Sequence, residues 1–211
     1  MPEAAVDGTD KRDRILDAAQ NLFLRYGVKR TSIEDVAREA GIAKGTVYLS
    51  FESKAALFAA IADRLCANTL ADVRRVIGEA TPLAERLVGV LDCYIGATHR
   101  LVAQSPHIAE LTASKEALSA AAFDRLDKHI RSLLSDLLGE AGITRDGAAD
   151  MFLAAGLGTL STGDCAEQPY RARLTAIVDT LLAGLTCGAP PEGHPASWQD
   201  RRRRKSVAKS V

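Results

Sequence analysis

Along most of the chain, apolar residues recur at the three-and-four spacing of an α-helix. Ile15, Ala18, Ala19, Leu22, Phe23 and Tyr26 make a first apolar face after an acidic arm over 1–10 that is expected to fray. Gly27 stops this helix. Thr31-Ser32-Ile33-Glu34 opens the next with capping-box spacing, Thr31 to Glu34, and its apolar face is Ile33, Val36, Ala37 and Ala40. Gly41 ends it. Residues 41–43 separate it from a third short run over 44–51, whose inward residues are Val47 and Phe51. Ser53 can cap a fourth helix, which runs through Leu57, Phe58, Ile61 and Leu65 to about residue 77 and can join two units.

The later segments are longer. Thr81 as cap and Pro82 at the first helical position lead a helix to about residue 104. Ser105-Pro106 repeats the device for a short helix to about residue 113, and Ser114 starts a long one to about 141. Gly142 stops that helix and Thr144 caps the next, to about 162. The last, from about 169 to 186, carries Tyr170, Leu174, Ile177, Val178, Leu181, Leu182 and Leu185 as a near-heptad stripe. Ala189-Pro190-Pro191 ends regular structure. No alternating run is long enough for a strand. With 36 alanines and 25 leucines against 5% aromatics, composition agrees on an all-α fold.

A formal net charge of zero favours neither nucleic acid nor an acidic partner, but its distribution is uneven. Residues 1–10 carry −3, 11–54 carry +3, 55–191 carry −4 and 192–211 carry +4. The first ten residues hold three acids and no base, so no secretory leader is expected. The longest uncharged stretches, 151–163 and 180–191, fall short of the roughly 20 apolar residues a spanning helix needs. Cys66, Cys93, Cys165 and Cys187 lack CxxC spacing and are expected as reduced thiols in a cytoplasmic protein. No metal site, cofactor or catalytic residue is expected. GxSxG, P-loop and HExxH patterns are absent, and His99, His107, His129 and His194 are scattered.

The stretch that carries chemistry is 31–54, TSIEDVAREAGIAKGTVYLSFESK. Two short amphipathic helices flanking a glycine turn make a helix-turn-helix pattern, in which the second helix can enter the major groove of DNA. Lys44 can approach a phosphate, Gly45 lets the backbone come close, and Thr46 and Tyr48 offer hydroxyls. Leu49 and Ser50 could meet base edges, Leu49 through a thymine methyl group. Lys54 adds a cation where the dipole of the fourth helix is positive.

Thr31, Ile33, Val36-Ala37, Ala40-Gly41-Ile42, Lys44-Gly45-Thr46-Val47-Tyr48, Phe51, Ser53-Lys54 and Leu57 resemble the N-terminal signature of the tetracycline-repressor (TetR/AcrR) family of bacterial transcriptional regulators. The resemblance covers roughly 11–58; beyond it the chain matches only in being a helical bundle of the expected size. It implies that Thr31, Tyr48 and Lys54 hold phosphates while Lys44, Gly45, Thr46, Leu49 and Ser50 face the groove. Ala43 departs from the serine that commonly caps the recognition helix, and Ser50 from a larger polar or aromatic residue.

The expected organisation is then a DNA-binding domain over 11–58, a helical effector-binding and dimerisation domain over 59–188, and a disordered basic tail over 189–211 that could add nonspecific phosphate contacts. The resemblance implies a homodimer through the last two helices. The apolar stripe and the small residues Ala154, Ala155, Gly156 and Gly158 suit close helix packing. Phe152, Ala155, Tyr170, Leu174, Ile177, Leu181 and Leu185 are the expected interface. Tyr94, His99, His107, Met151 and Phe152 are candidates to line a pocket for an apolar or weakly polar effector. The expected function is a repressor that binds a palindromic operator and is released by a small molecule. An effector-independent DNA-organising protein of the same fold, or an all-α enzyme, is the alternative.

Overall fold

The computed structural model describes residues 3–160 and 167–186, which form nine α-helices and one π-helical turn with no strand among them. The helices are α1 (Glu3–Tyr26), α2 (Ile33–Ala40), α3 (Lys44–Ser50), α4 (Lys54–Ile77), α5 (Leu83–Leu91), α6 (Ala97–Ala103), α7 (Ile108–Glu140), α8 (Ala148–Leu160) and α9 (Glu167–Thr186). The π turn, Asp92–Gly96, joins α5 directly to α6. No helix among the described residues is long and apolar enough to cross a membrane.

Two apolar cores organise the chain. In the first, Ile15, Ala19 and Phe23 of α1 pack with Val36, Val47, Phe51 and Leu57, so α1, α2 and α3 close around the start of α4. In the second, Val73, Leu87, Leu91, Ile130, Leu134, Phe152 and Leu174 join the far half of α4 to α5 and α7–α9. The changeover falls inside α4, with Ile61 in the first core and Cys66 in the second. α4 is thus one continuous helix that contributes to both cores.

Several expected boundaries move. The acidic arm does not stand apart, since α1 extends back to Glu3. Pro82 is itself the N-cap of α5, which starts at Leu83, one residue after the expected start. The two helices expected around Ser114 are one, α7, because nothing at 113–115 breaks the backbone ladder; a serine inside a helix is a weaker stop than glycine or proline. Thr144 does not begin α8, which starts at Ala148 after Gly147 takes φ +74. The expected tail, Trp198, Cys165 and Cys187 lie outside the described residues.

Candidate nucleic-acid interface

α2 is fixed at each end. At the start of α2, Ser32 and not Thr31 is the N-cap: its Oγ accepts from the Asp35 amide at 3.1 Å and its own amide donates to the Asp35 carboxylate at 3.0 Å. Hydrogen bonds from the Ser32 side chain and then its backbone hold the Asp35 carboxyl below its ordinary pKa. At the other end Gly41 takes the left-handed conformation, φ +66, and the Ile42 amide reaches back to the Ala37 carbonyl at 3.0 Å. The guanidinium of Arg14 in α1 donates to the Ala40 carbonyl at 2.7 Å, closing the C-terminus of α2.

α3 then projects with one buried side. Val47 is inside and Phe51 just beyond the helix is covered, while Leu49 is 90% exposed and Tyr48 50% exposed. Lys44 and Gly45 are exposed and Thr46 and Ser50 half-exposed. A Cβ on Gly45 would meet nothing within 4 Å, so the approach there is open. As the sequence indicated, Ala43 leaves the first turn of α3 without a side-chain cap. The Arg12 guanidinium stacks 4.3 Å over the Phe51 ring and donates to the Ser50 carbonyl at 3.3 Å, matching a cation to the negative end of α3. Lys44 pairs with Glu34 of α2 at 3.1 Å with both side chains in solvent, a contact a phosphate can replace at little cost.

Two of the expected phosphate ligands act differently from one another. Lys54 sits at the start of α4 and its Nζ donates to the carbonyls of Lys29 at 3.1 Å and Thr31 at 2.9 Å, drawing the positive ends of α2 and α4 together. Thr31 is 3% exposed and its hydroxyl donates to the Gly27 carbonyl at 2.8 Å. Its side chain therefore secures the α1–α2 turn from inside and does not present a phosphate ligand. The exposed residues there are Ser32, Lys29 and Arg30, which sequence reasoning passed over. Their signal was the basic pair directly before a helix N-terminus.

The expected pocket residues do not converge. Tyr94 donates to Asp127 at 2.9 Å, and burial raises the pKa of its phenol. His99 lies in a narrow recess beside Gly96 and Tyr170, His107 precedes α7, Met151 is partly exposed on the outer side of α8, and Phe152 is wholly buried. The interface set divides in the same way. Phe152, Tyr170 and Leu174 are buried within the protomer, while Ala155, Ile177, Leu181 and Leu185 are half-buried. The outer face of α8 and α9 instead carries Met151, Ala154, Leu157 and Gly158 with Ala172, Ala176 and Ala183. Among the described residues no cluster of three or more His, Cys, Asp or Glu could hold a metal ion.

Residues 15–61 match the model of the bacterial regulatory proteins of the tetR family. The HTH-type transcriptional regulator YvdT of Bacillus subtilis is 42% identical over 64 residues, 30% of this chain and 33% of that protein. The chain therefore spans about a third of the length of this curated relative. The fold extends further than the sequence likeness. The structure of the fatty acid degradation regulator FadR from Bacillus halodurans superposes with a TM-score of 0.62 at 24% identity, over 83% of this chain and 96% of that one. SmeT, the repressor of the Stenotrophomonas maltophilia multidrug efflux pump SmeDEF, gives 0.58 at 23% identity, over 88% and 98%.

Proposed function

Because its N-terminal unit is that of the tetR family of bacterial transcriptional regulators, we propose that the chain is a repressor that binds a palindromic operator as a homodimer and is released by a small-molecule effector. The observation that carries this reading is the outer side of α3. A seven-residue helix seated on the core by Val47 and Phe51 presents an uncovered leucine and a half-exposed tyrosine beside Lys44 and Gly45. Lys44, Tyr48 and Lys54 contact phosphates, joined by the Ser32 hydroxyl and Arg30 at the start of α2. Gly45, Thr46, Leu49 and Ser50 face the base edges. Thr31 contributes by holding the turn. The homodimer forms on the small-residue face of α8 and α9, with Leu157 at its centre and Ile177, Leu181 and Leu185 at the margin.

One α3 reads too few base pairs for specificity, whereas a twofold dimer reads two half-sites about one helical turn apart. Effector bound among the bundle helices shifts α4 and changes the separation of the two α3 helices, so the free energy of one binding event opposes the other. A footprint of the purified protein on DNA flanking its own gene is the test, repeated with candidate ligands. Protection of one palindrome that shrinks with a ligand supports the reading. Protection of many unrelated sites, indifferent to every ligand that binds, would replace it with a DNA-organising role.

A further inference from the structure

We propose that the crevice where α1, α4, α6 and α7 meet binds a medium-chain aliphatic carboxylate, with its hydrocarbon in the apolar interior and its head on Lys115. The proposal rests on the effector-responsive reading above and gives that effector a chemical class. The crevice encloses about 190 Å³. For scale, a dry apolar cavity of about 150 Å³ lined by aliphatic and aromatic residues accepts benzene. Phe23, Phe58, Ile61, Leu101, Val102 and Leu111 are among the apolar residues that line it. A chain of several methylenes gains about 0.8 kcal/mol for each CH₂ it brings out of water.

The charge of the lining selects the head. Lys115 is the charged residue on the wall, and neither Asp nor Glu lines the crevice. Its ammonium stands 4.2 Å from the centroid of the Phe123 ring, so the cation is already placed at an apolar edge. No ion pair to Lys115 is found among the described residues. A cationic amphiphile meets repulsion there, and a neutral one gains nothing from it.

The position of the crevice gives occupancy a consequence. One wall is Gln20, Phe23 and Leu24 of α1, which belongs to the DNA-reading unit; the opposite wall is the end of α6 and the start of α7. The same two walls are tied together by a pair of short hydrogen bonds. Ser105 Oγ donates to the Leu24 carbonyl at 2.6 Å, and the Lys29 amide donates to the Glu110 carboxylate at 2.6 Å. The Glu110 carboxylate also fills the space where Gly27 lacks a Cβ, 2.6 Å from where one would stand. Leu24 thus both lines the crevice and carries the carbonyl of the tie. A hydrocarbon chain entering between the walls pushes against both bonds, and the turn they hold is the one on which Thr31 and Lys54 depend.

Calorimetric titration of the full chain with octanoate, and with octanol as the uncharged control, tests the site without any operator. Octanoate binds about fivefold tighter than octanol, and Lys115→Ala removes that preference while leaving octanol binding intact. Ala62→Leu, which adds three carbons from the α4 wall, weakens both ligands at least roughly tenfold with helix content unchanged. Amide exchange at 28–33 rises when octanoate binds. Absence of octanoate binding, equal binding of octanoate and octanol, or octanoate binding indifferent to both substitutions overturns the site; binding without a change in exchange overturns the coupling. Failure to find an operator would count against the regulatory reading and leave these results standing.

Discussion

Thr31 serves the DNA-facing surface from behind it. Its hydroxyl spans the turn to the Gly27 carbonyl, and Lys54 takes the Thr31 carbonyl, so one residue anchors α1, α2 and α4 together. Thr31→Val keeps the shape and removes the donor, leaving the buried Gly27 carbonyl without it; the expected loss is about 1–3 kcal/mol in urea unfolding. The salt dependence of DNA binding by the folded variant stays at the wild-type slope, whereas Lys44→Ala reduces that slope by about one phosphate contact. A reduced slope in Thr31→Val would return the residue to the phosphate contacts. The sequence could not separate the two roles. Thr31 with Glu34 and Ser32 with Asp35 have identical capping-box spacing, one residue apart. Burial decides between them, because the register that puts Ile33, Val36 and Ala40 in the core turns Thr31 inward and leaves Ser32 in solvent.

Among the elements, the joint between α5 and α6 departs furthest from the expected pattern. The apolar positions around it, Leu87, Val88, Val90, Leu91 and Ile95, read as ordinary helix, and the added residue of a π turn leaves that periodicity legible but shifted. What marks the turn is tight packing. A Cβ at Gly96 would overlap the Asp92 carboxylate and come within 2.8 Å of the Tyr170 hydroxyl and 2.9 Å of the Arg100 guanidinium, which itself pairs with Asp92 at 2.7 Å. Gly96→Ala gains up to about 1 kcal/mol in helix propensity. It loses more to overpacking, about 1–3 kcal/mol, so the unfolding midpoint falls. Gly139→Ala is the control on α7, where a Cβ meets nothing within 4 Å, and there propensity alone raises the midpoint. Equal effects at the two sites would remove packing from the account of the π turn. The helical type of each segment was readable from apolar spacing, while the π turn, the fusion of two expected helices at Ser114 and the ends at Pro82 and Thr144 were not. A cap-forming residue states only that a helix can begin there; whether one does depends on neighbours distant in sequence.

For the whole molecule, the zero net charge conceals a division of labour, with positive charge over 11–54 where α3 and the start of α4 meet solvent and negative charge over the bundle. That much was legible, since charge and the α2–α3 turn lie close together along the chain. The proposed dimer face was legible only as a pair of helices. α8 and α9 are apolar on more than one side, and the larger residues, Phe152, Tyr170 and Leu174, turn to the nearest core within the same protomer. The small ones remain outside, with Leu157 53% exposed among Ala154, Gly158, Ala172 and Ala176. Alanine and glycine there allow two helices to approach until backbones nearly touch, and a leucine at the centre then contributes most of the buried apolar surface. Leu157→Glu puts a charge at that centre, at a position already half in solvent in the protomer. Sedimentation of the variant should show a monomer with unchanged helix content, and operator affinity should fall by at least roughly a hundredfold as the second half-site is lost. Retention of the dimer would move the interface away from α8 and α9. A monomer that held its operator affinity would sink the palindrome argument instead, since one α3 would then be reading the whole site.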